Sequence, residues 1–365
     1  MTFTHLPTMV STYFNQPLGF VSGAEGFIFL SALFTGRTFF LVAEREGHRV
    51  MSSQLWMRTL RLYIYHAILL ALVFLVGAQF AANGNRPGLH NLLDFYFAAP
   101  RQALIDGALL IYRPPLLDIL PMYITFLLFT PLAFTLAKRF GWKIILSAGG
   151  ILWLSAQFGL RQALYHFSSR VAGLNIPLSA TGSFDLFAWQ FMWLVGLYCG
   201  VRWAKNDLPV VKWARQMLIP AIVIAPVLFA LRYSVGRGIE LGIFEVSFDK
   251  WHLGFVRIIN FAAIAVLLIR FQSVLKPLAI RPLVMMGQAS LQVFCSHLLF
   301  CFVGLVIMGD ASIVNGWHEA ALVTMALSGM LLTAHIFSRN YVMTPKHLAL
   351  EGGRGASRAV AQFGD

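Results

Sequence analysis

Uninterrupted apolar runs of about twenty residues recur along most of this chain. A short basic or turn-rich stretch separates each from the next. Apolar and polar positions do not alternate within the runs, so they predict helices and not the strands of a barrel. They fall near 22–43, 60–82, 116–137, 144–161, 185–203, 216–232, 253–271, 283–308 and 317–338. A helix of about 20 apolar residues crosses a bilayer, so nine full spans are expected. Residues 1–21 lack the basic start of a signal peptide and read like the second half of one more membrane helix. Supplying its first half would give ten spans with both ends on one side. The expectation is that Met1 is an internal methionine of the natural reading frame, or that the gene is truncated. The expected fold class is therefore all-α, a polytopic transmembrane helix bundle of nine full spans plus a partial first span. Residues 1–340 form one multi-pass membrane domain, and the Gly/Ala/Arg-rich segment 341–365 reads as a disordered cytoplasmic tail.

Composition agrees with this pattern. The 365 residues are 58% hydrophobic and 12% charged, with mean hydropathy +0.71. A soluble globule could not cover its surface with so few polar groups, and a disordered chain would carry far less apolar material. The net charge of +13 would suggest nucleic acid as the partner of a soluble protein. Here basic residues hold loops on the cytoplasmic side and meet anionic membrane lipids. No separate basic domain interleaved with aromatics is present, so no nucleic-acid partner is expected. The three cysteines lie in apolar runs without metal-ligand spacing, which argues against a disulfide framework or a zinc site.

Lys and Arg also set the orientation. Alternate junctions carry eighteen of the 28 basic residues, among them Arg45, Arg49, Arg58, Arg61, Lys138, Arg139, Lys143, Arg202, Lys205, Lys212, Arg215, Lys346, Arg354 and Arg358. The other junctions carry eight, including Arg113, Arg161, Arg237 and Lys250, and Arg37 and Arg257 fall within spans. The richer side is cytoplasmic, which places the C-terminus inside. Segment 83–115 then lies outside. Its stretches LLDFYFAAP and RQALIDGALLIY suit short amphipathic or re-entrant helices, the second stopped by Arg113-Pro114-Pro115. A long loop on one face is a candidate lid.

Ionisable residues inside spans are costly and mark candidate functional positions. His5 precedes Pro7; Glu25, Ser31 and Arg37 lie in GAEGFIFLSALFTGR. Glu25 and Arg37 are twelve residues apart, about 18 Å along a helix, and cannot pair directly. His5 with Glu25 is the most suggestive pair. The imidazole can act as general base near neutral pH while a neighbouring carboxylate fixes its tautomer. The alternative is a structural histidine bonded to a carbonyl freed by Pro7. Arg37 suits the phosphates of an anionic cofactor such as coenzyme A, or anchors the inner loop. Asp118 and Asp185 can bind substrate hydroxyls, but each also stands where a helix N-cap is expected, and capping is the favoured reading. Gln288, Gln292 and Ser296 share one helical stripe, a candidate interhelical seam, with His297 on another side. His66 and His335 read as structural or interfacial. Trp189, Trp193 and Trp203 offer a sugar platform or belong to an aromatic girdle, with Gln190 beside them. No Walker loop, GxGxxG, HExxH or GxSxG appears, and Gly236-Arg237-Gly238 is too short to cradle phosphates.

With these residues in view, the chain resembles the OpgC family of bacterial inner-membrane proteins, within a superfamily of multi-pass acyltransferases. The resemblance rests on FTHLP, SGAEGFIFLSALFTG, PLLDILPMYI, FDLFAWQFMWLVGLYCG and MGQASLQVFCSHLLF, in order over about residues 3–300. It implies transfer of a succinyl or similar short acyl group from cytoplasmic acyl-CoA (succinyl-CoA or acetyl-CoA), with no metal, to a hydroxyl of a periplasmic glucan or other glycan. It implies a bacterial inner-membrane location, His5 at the position of the superfamily's catalytic histidine, and Glu25 at that of its carboxylate. Substrate contacts are expected from Ser31, Arg37, Asp118, Asp185, Trp189, Gln190, Gln288, Gln292 and His297. The family's Ser-Gly is here Ser31-Ala32, and the superfamily's basic residue before the histidine has no counterpart. A glycan or lipid transporter or flippase, or an inactive scaffold, would share the same spans.

Overall fold

The computed structural model describes residues 2–6, 8, 11, 16–82, 86–173, 175–207, 216–235, 242–308 and 316–342. Pro7, Lys212, Arg215, the Gly236–Gly238 turn, Lys346, Arg354, Arg358 and the tail from 343 onward lie outside them. The described residues are helical, with a lone bridge between Leu18 and Val21 and no extended sheet. In chain order the helices are α1 (Thr2–His5), α2 (Gly23–Glu46), α3 (His48–Ala82), α4 (Pro87–Ala98), α5 (Pro100–Ala108), α6 (Ile119–Phe140), α7 (Trp142–Gln157) and α8 (Leu160–Ala172). They continue with α9 (Leu186–Ala204), α10 (Leu218–Val235), α11 (Glu245–Phe248), α12 (Phe255–Arg270), α13 (Gln272–Leu275), α14 (Arg281–Gln288), α15 (Ser290–Met308) and α16 (Gly316–Val342).

Seven helices are long and apolar enough to cross a membrane, or up to nine if two bent pairs each count as one span. The bent pairs are α7 with α8 and α12 with the segment Gln272–Leu278, each turning by 78°. The run expected at 144–161 is thus broken at Gly159, whose left-handed φ of +85° redirects the chain, whereas the run expected at 253–271 is one continuous helix that bends only where it ends. The run expected at 283–308 divides at Ala289 into α14 and α15. Gly287 and Ser290, both weaker helix formers than Ala or Leu, flank that division, and α14 packs against α16. The reverse happens in α3, which starts at His48 and so carries Arg49 and Arg58 on helix ahead of the run expected from residue 60. Single glycines separate α2 from α3 and α6 from α7. Gly47 and Gly141 have φ of +90° and +86° with extended ψ, a conformation essentially reserved for glycine. Residues 86–115 include, as expected, two short helices, α4 and α5, and α4 buries Leu89, Leu92 and Leu93 in the main core. The second ends at Ala108, ahead of Arg113.

The bundle is organised around α2, α6 and α9. In the spans Ile119–Phe140 and Leu178–Ala204, 61% of the most apolar window is enclosed by protein, against 6% in Leu218–Val235, which marks α10 as peripheral. α2 and α9 pack backbone to backbone. A Cβ on Gly196 would lie 2.6 Å from Ala32 Cβ, one on Gly36 would lie 2.4 Å from the Leu197 carbonyl oxygen, and one on Gly200 only 2.1 Å from that of Leu33. Ala32 and Gly36 on one helix therefore face Gly196 and Gly200 on the other at backbone contact. Apolar lipid gives helices no hydrophobic reason to associate, so such small-residue faces supply the dispersion contact.

Replacing Gly200 by Leu should separate the two backbones and cost about 2–3 kcal/mol or more. Gly26→Ala, where a Cβ meets nothing within 4 Å, should be neutral or stabilising by up to about 1 kcal/mol. Thermal unfolding in detergent checks both; equal midpoints would refute the packing argument.

Candidate functional site

Ser22 starts α2 with a capping box. Its hydroxyl accepts from the Ala24 N–H at 3.3 Å, and its own N–H and Oγ donate to Glu25 Oε2 at 2.9 and 2.6 Å. The other carboxylate oxygen, Oε1, receives Arg257 of α12 through Nε at 2.8 Å and through Nη2. Both side chains are essentially inaccessible. The expected His5–Glu25 pair is therefore not formed. Glu25 closes a buried ion pair and a helix cap, and its oxygens are engaged there. Next to it, Asn260 Oδ1 accepts the Phe20 N–H at 2.8 Å and so ties the approach to α2 onto α12.

His5 instead opens onto a cavity of about 220 Å³. Its walls come from α1 (Thr4, His5), the start of α2 (Ser22 to Ala24) and the approach to α6 (Pro115, Leu116, Asp118). The remaining walls are Ser183 with Phe184, Lys250 with Trp251, and Phe294, His297 and Leu298 of α15. The His5 and His297 rings stand 5.7 Å apart. Lys250 lies over the rings of Trp251 and Phe184 at 4.7 and 5.8 Å. Burial lowers its amine from the ordinary range, with the Glu25 carboxylate acting in the opposite direction.

The two aspartates part company. Asp185 caps α9 as expected, accepting the Phe187 N–H at 2.8 Å. Asp118 stands at the N-cap position of α6 but makes no capping bond. Its carboxylate accepts the Ser183 N–H at 3.3 Å and faces the His5 cavity. The loop it holds is fastened also by Arg161, which donates to Gly182 O at 2.5 Å and Thr181 Oγ1 at 2.7 Å.

Several expected substrate contacts are structural instead. Trp189 is fully buried, with Nε1 donating to Trp251 O at 3.1 Å, so it offers no platform. Trp193 is likewise buried and donates to Thr130. Gln190 donates to Gly149 O at 2.7 Å and joins α9 to α7. Arg37 lies 4.5 Å over the Trp203 ring, away from the residues lining the His5 cavity. Ser31 and Gln292 are half-buried and Gln288 is exposed; none of the three lines that cavity. The break at Ala289 puts Gln288 and Gln292 on different helices, and of the expected stripe Ser296 joins α16, accepting from Thr333 at 3.2 Å. His66 is buried without a hydrogen-bond partner among the described residues, and His335 is exposed.

A second, larger cavity of about 700 Å³ shares Lys250 with the first. Arg257 and Phe20 form part of its wall, with His252, Asp249 and Gln162 nearby. Asp249 Oδ2 lies 2.5 Å from His252 Nδ1 and also accepts the His252 N–H at 3.0 Å. That hydrogen bond raises the His252 imidazole above its ordinary value, against burial. For Asp249, burial pulls upward, but the bonds from His252 and the Trp251 N–H outweigh it and hold the carboxyl low. Sequence reading missed Lys250, His252 and Asp249, counting Lys250 only as a loop charge. The DKWH run at 249–252 was the available signal.

Architecture and cavity together define an all-helical, membrane-type protein whose polar site lies at one end of its central helices. The family model described as OpgC protein matches residues 1–341, and the chain belongs to that family, which makes it a membrane acyltransferase-type protein. No curated protein and no solved structure matches significantly.

Arg257→Met should leave Glu25 buried without a counter-charge and cost about 3–5 kcal/mol. Adding Glu25→Gln should recover more than half, since the stranded charge disappears and Gln still suits the capping box. A double-mutant cycle of unfolding midpoints tests this; additive losses would contradict it. The His252–Asp249 bond should also give stability a pH dependence. His252 is raised on folding, so its contribution is full below the ordinary 6.5 and is lost as pH rises through the folded value. The stability difference between wild type and His252→Ala should therefore shrink by roughly 1–2 kcal/mol from acidic to alkaline buffer. A pH-independent difference would refute the pairing.

Proposed function

We propose that this chain is an O-acyltransferase of the bacterial inner membrane. It moves a succinyl or similar short acyl group from cytoplasmic acyl-CoA to a hydroxyl of a periplasmic glucan or other glycan. The observation that carries the reading is the position of His5, on a polar cavity that also contains Asp118, Lys250 and His297. That cavity sits at the ends of α2 and α6 away from Arg45, Lys138 and Arg139. The positive-inside bias then supports an outward-facing site.

In this reading His5 takes the proton of the acceptor hydroxyl as its oxygen attacks the thioester carbonyl. Lys250 stabilises the oxyanion of the tetrahedral intermediate. Collapse breaks the C–S bond, the new ester leaves on the glycan, and the imidazolium returns its proton to the coenzyme A thiolate. Asp118, the carboxylate among the described residues lining this cavity, is placed to orient the acceptor hydroxyl. Glu25 acts through position, fixing Ser22 and the start of α2. Arg37, toward the other end of α2, is a candidate for the phosphates of the donor.

Purified protein with labelled succinyl-CoA or acetyl-CoA and a glucan acceptor tests this. His5→Ala should lower kcat by roughly a hundredfold to ten-thousandfold, and Lys250→Met should also lower kcat. Transfer unaffected by His5→Ala would reject the assignment. Glycan movement across vesicles without acyl transfer would point to transport instead.

A further inference from the structure

The cavity of about 700 Å³ is in the size range of small-molecule sites, and the acyl-transfer chemistry placed at His5 does not use it. Its lining mixes amide side chains with charged ones. Gln157 Nε2 donates to the His252 carbonyl at 2.7 Å, and Arg232 Nε donates to Gln16 Oε1 at 2.7 Å. Arg257 is neutralised by Glu25 and His252 is bonded to Asp249. The basic groups are thus largely engaged inside the protein, whereas hydrogen-bond acceptors are left over. Gln162 Oε1 is buried there without a partner among the described residues, and Glu245 adds a carboxylate. An unpaired buried acceptor costs about 1–3 kcal/mol unless a ligand or water supplies a donor. A carboxylate or a phosphodiester has no proton to give it; a hydroxyl has. The Phe248 and Phe20 rings meet tilted at 4.6 Å, and both line the same space, offering apolar ring surface.

We propose that this cavity binds the hydroxyl-rich sugar units of the acceptor. Lys250 is the common wall across which a sugar hydroxyl reaches His5. The inference deepens the acyltransferase reading by giving its acceptor a site, and it rests on that reading for the direction of transfer.

The test uses the full chain in nanodiscs with a panel of gluco-oligosaccharides of different linkage. Acyl transfer and donor thioester hydrolysis are measured alongside calorimetric binding. Gln162→Leu should raise acceptor KM and weaken oligosaccharide binding roughly five- to tenfold, with donor hydrolysis unchanged. Val246→Trp, at a half-exposed lining position, should narrow the cavity and give the same pattern by a route that leaves the polar groups intact. Wild-type transfer with acceptor KM and binding unmoved in both variants would overturn the site while leaving the acyltransferase reading standing. Oligosaccharide binding that depends on Gln162, in a protein that transfers no acyl group, would support the site and remove the reading. Tight binding of anionic lipid with no oligosaccharide binding would overturn the site.

Discussion

A carboxylate and a guanidinium enclosed in an apolar bundle have to meet, and the meeting of Glu25 with Arg257 sets much of what surrounds it. Neither side chain reaches solvent, so either alone would be a stranded charge. Paired, they draw the N-terminus of α2 onto α12. The same Glu25 satisfies Ser22, so one carboxylate caps a helix and crosses to another. A pair of this kind adds little net stability over a well-packed apolar one, because desolvation offsets the attraction. What it supplies is position: slippage of α2 against α12 would break both of its hydrogen bonds at once.

Along the rest of α2 the constraint is shape. Ala32 and Gly36 bring its backbone against Gly196 and Gly200 of α9. Contact at that distance tolerates no added atoms and little sliding. α2 is thus fixed at its start by charge and along its length by close packing. α6, one of the two most enclosed spans, brings Asp118 to the cavity at the level of Ser22, where His5 and His297 also arrive. The cavity is polar because six segments each bring a polar group there, His5, Ser22, Asp118, Ser183, Lys250 and His297.

The helical class and membrane character were legible in the apolar runs, because a bilayer imposes length and continuity on any helix that crosses it. Breaks within runs were not: the bend near Gly159 and the division at Ala289 depend on neighbouring helices, and composition averages over them. Asp185 was readable as a cap because capping is local. Asp118 was not, since its partner Ser183 comes from a loop 65 residues away. The pairing of Glu25 was hidden for the same reason, although two charges noted inside spans, Glu25 and Arg257, each needed a partner. Trp189 and Gln190 show the converse limit. A buried tryptophan and a platform tryptophan have the same letter, and only the Trp251 carbonyl beside Nε1 separates them.

Lys250 shows how stability and chemistry meet in this fold. It sits on the segment leading into α12, enclosed in sequence by the bonded pair Asp249 and His252 and seven residues ahead of Arg257. The ion pair that anchors α12 therefore also sets where Lys250 stands, and Lys250 lines both cavities. Ser22 looks into the smaller space and Arg257 into the larger, with Glu25 bonded to both. The partition between the two spaces is thus made of the groups that hold α2 to α12. A change that loosened that junction would alter the depth of both cavities together. The wall is legible only in three dimensions, because its parts come from residues 22–25 and 249–257, more than two hundred positions apart.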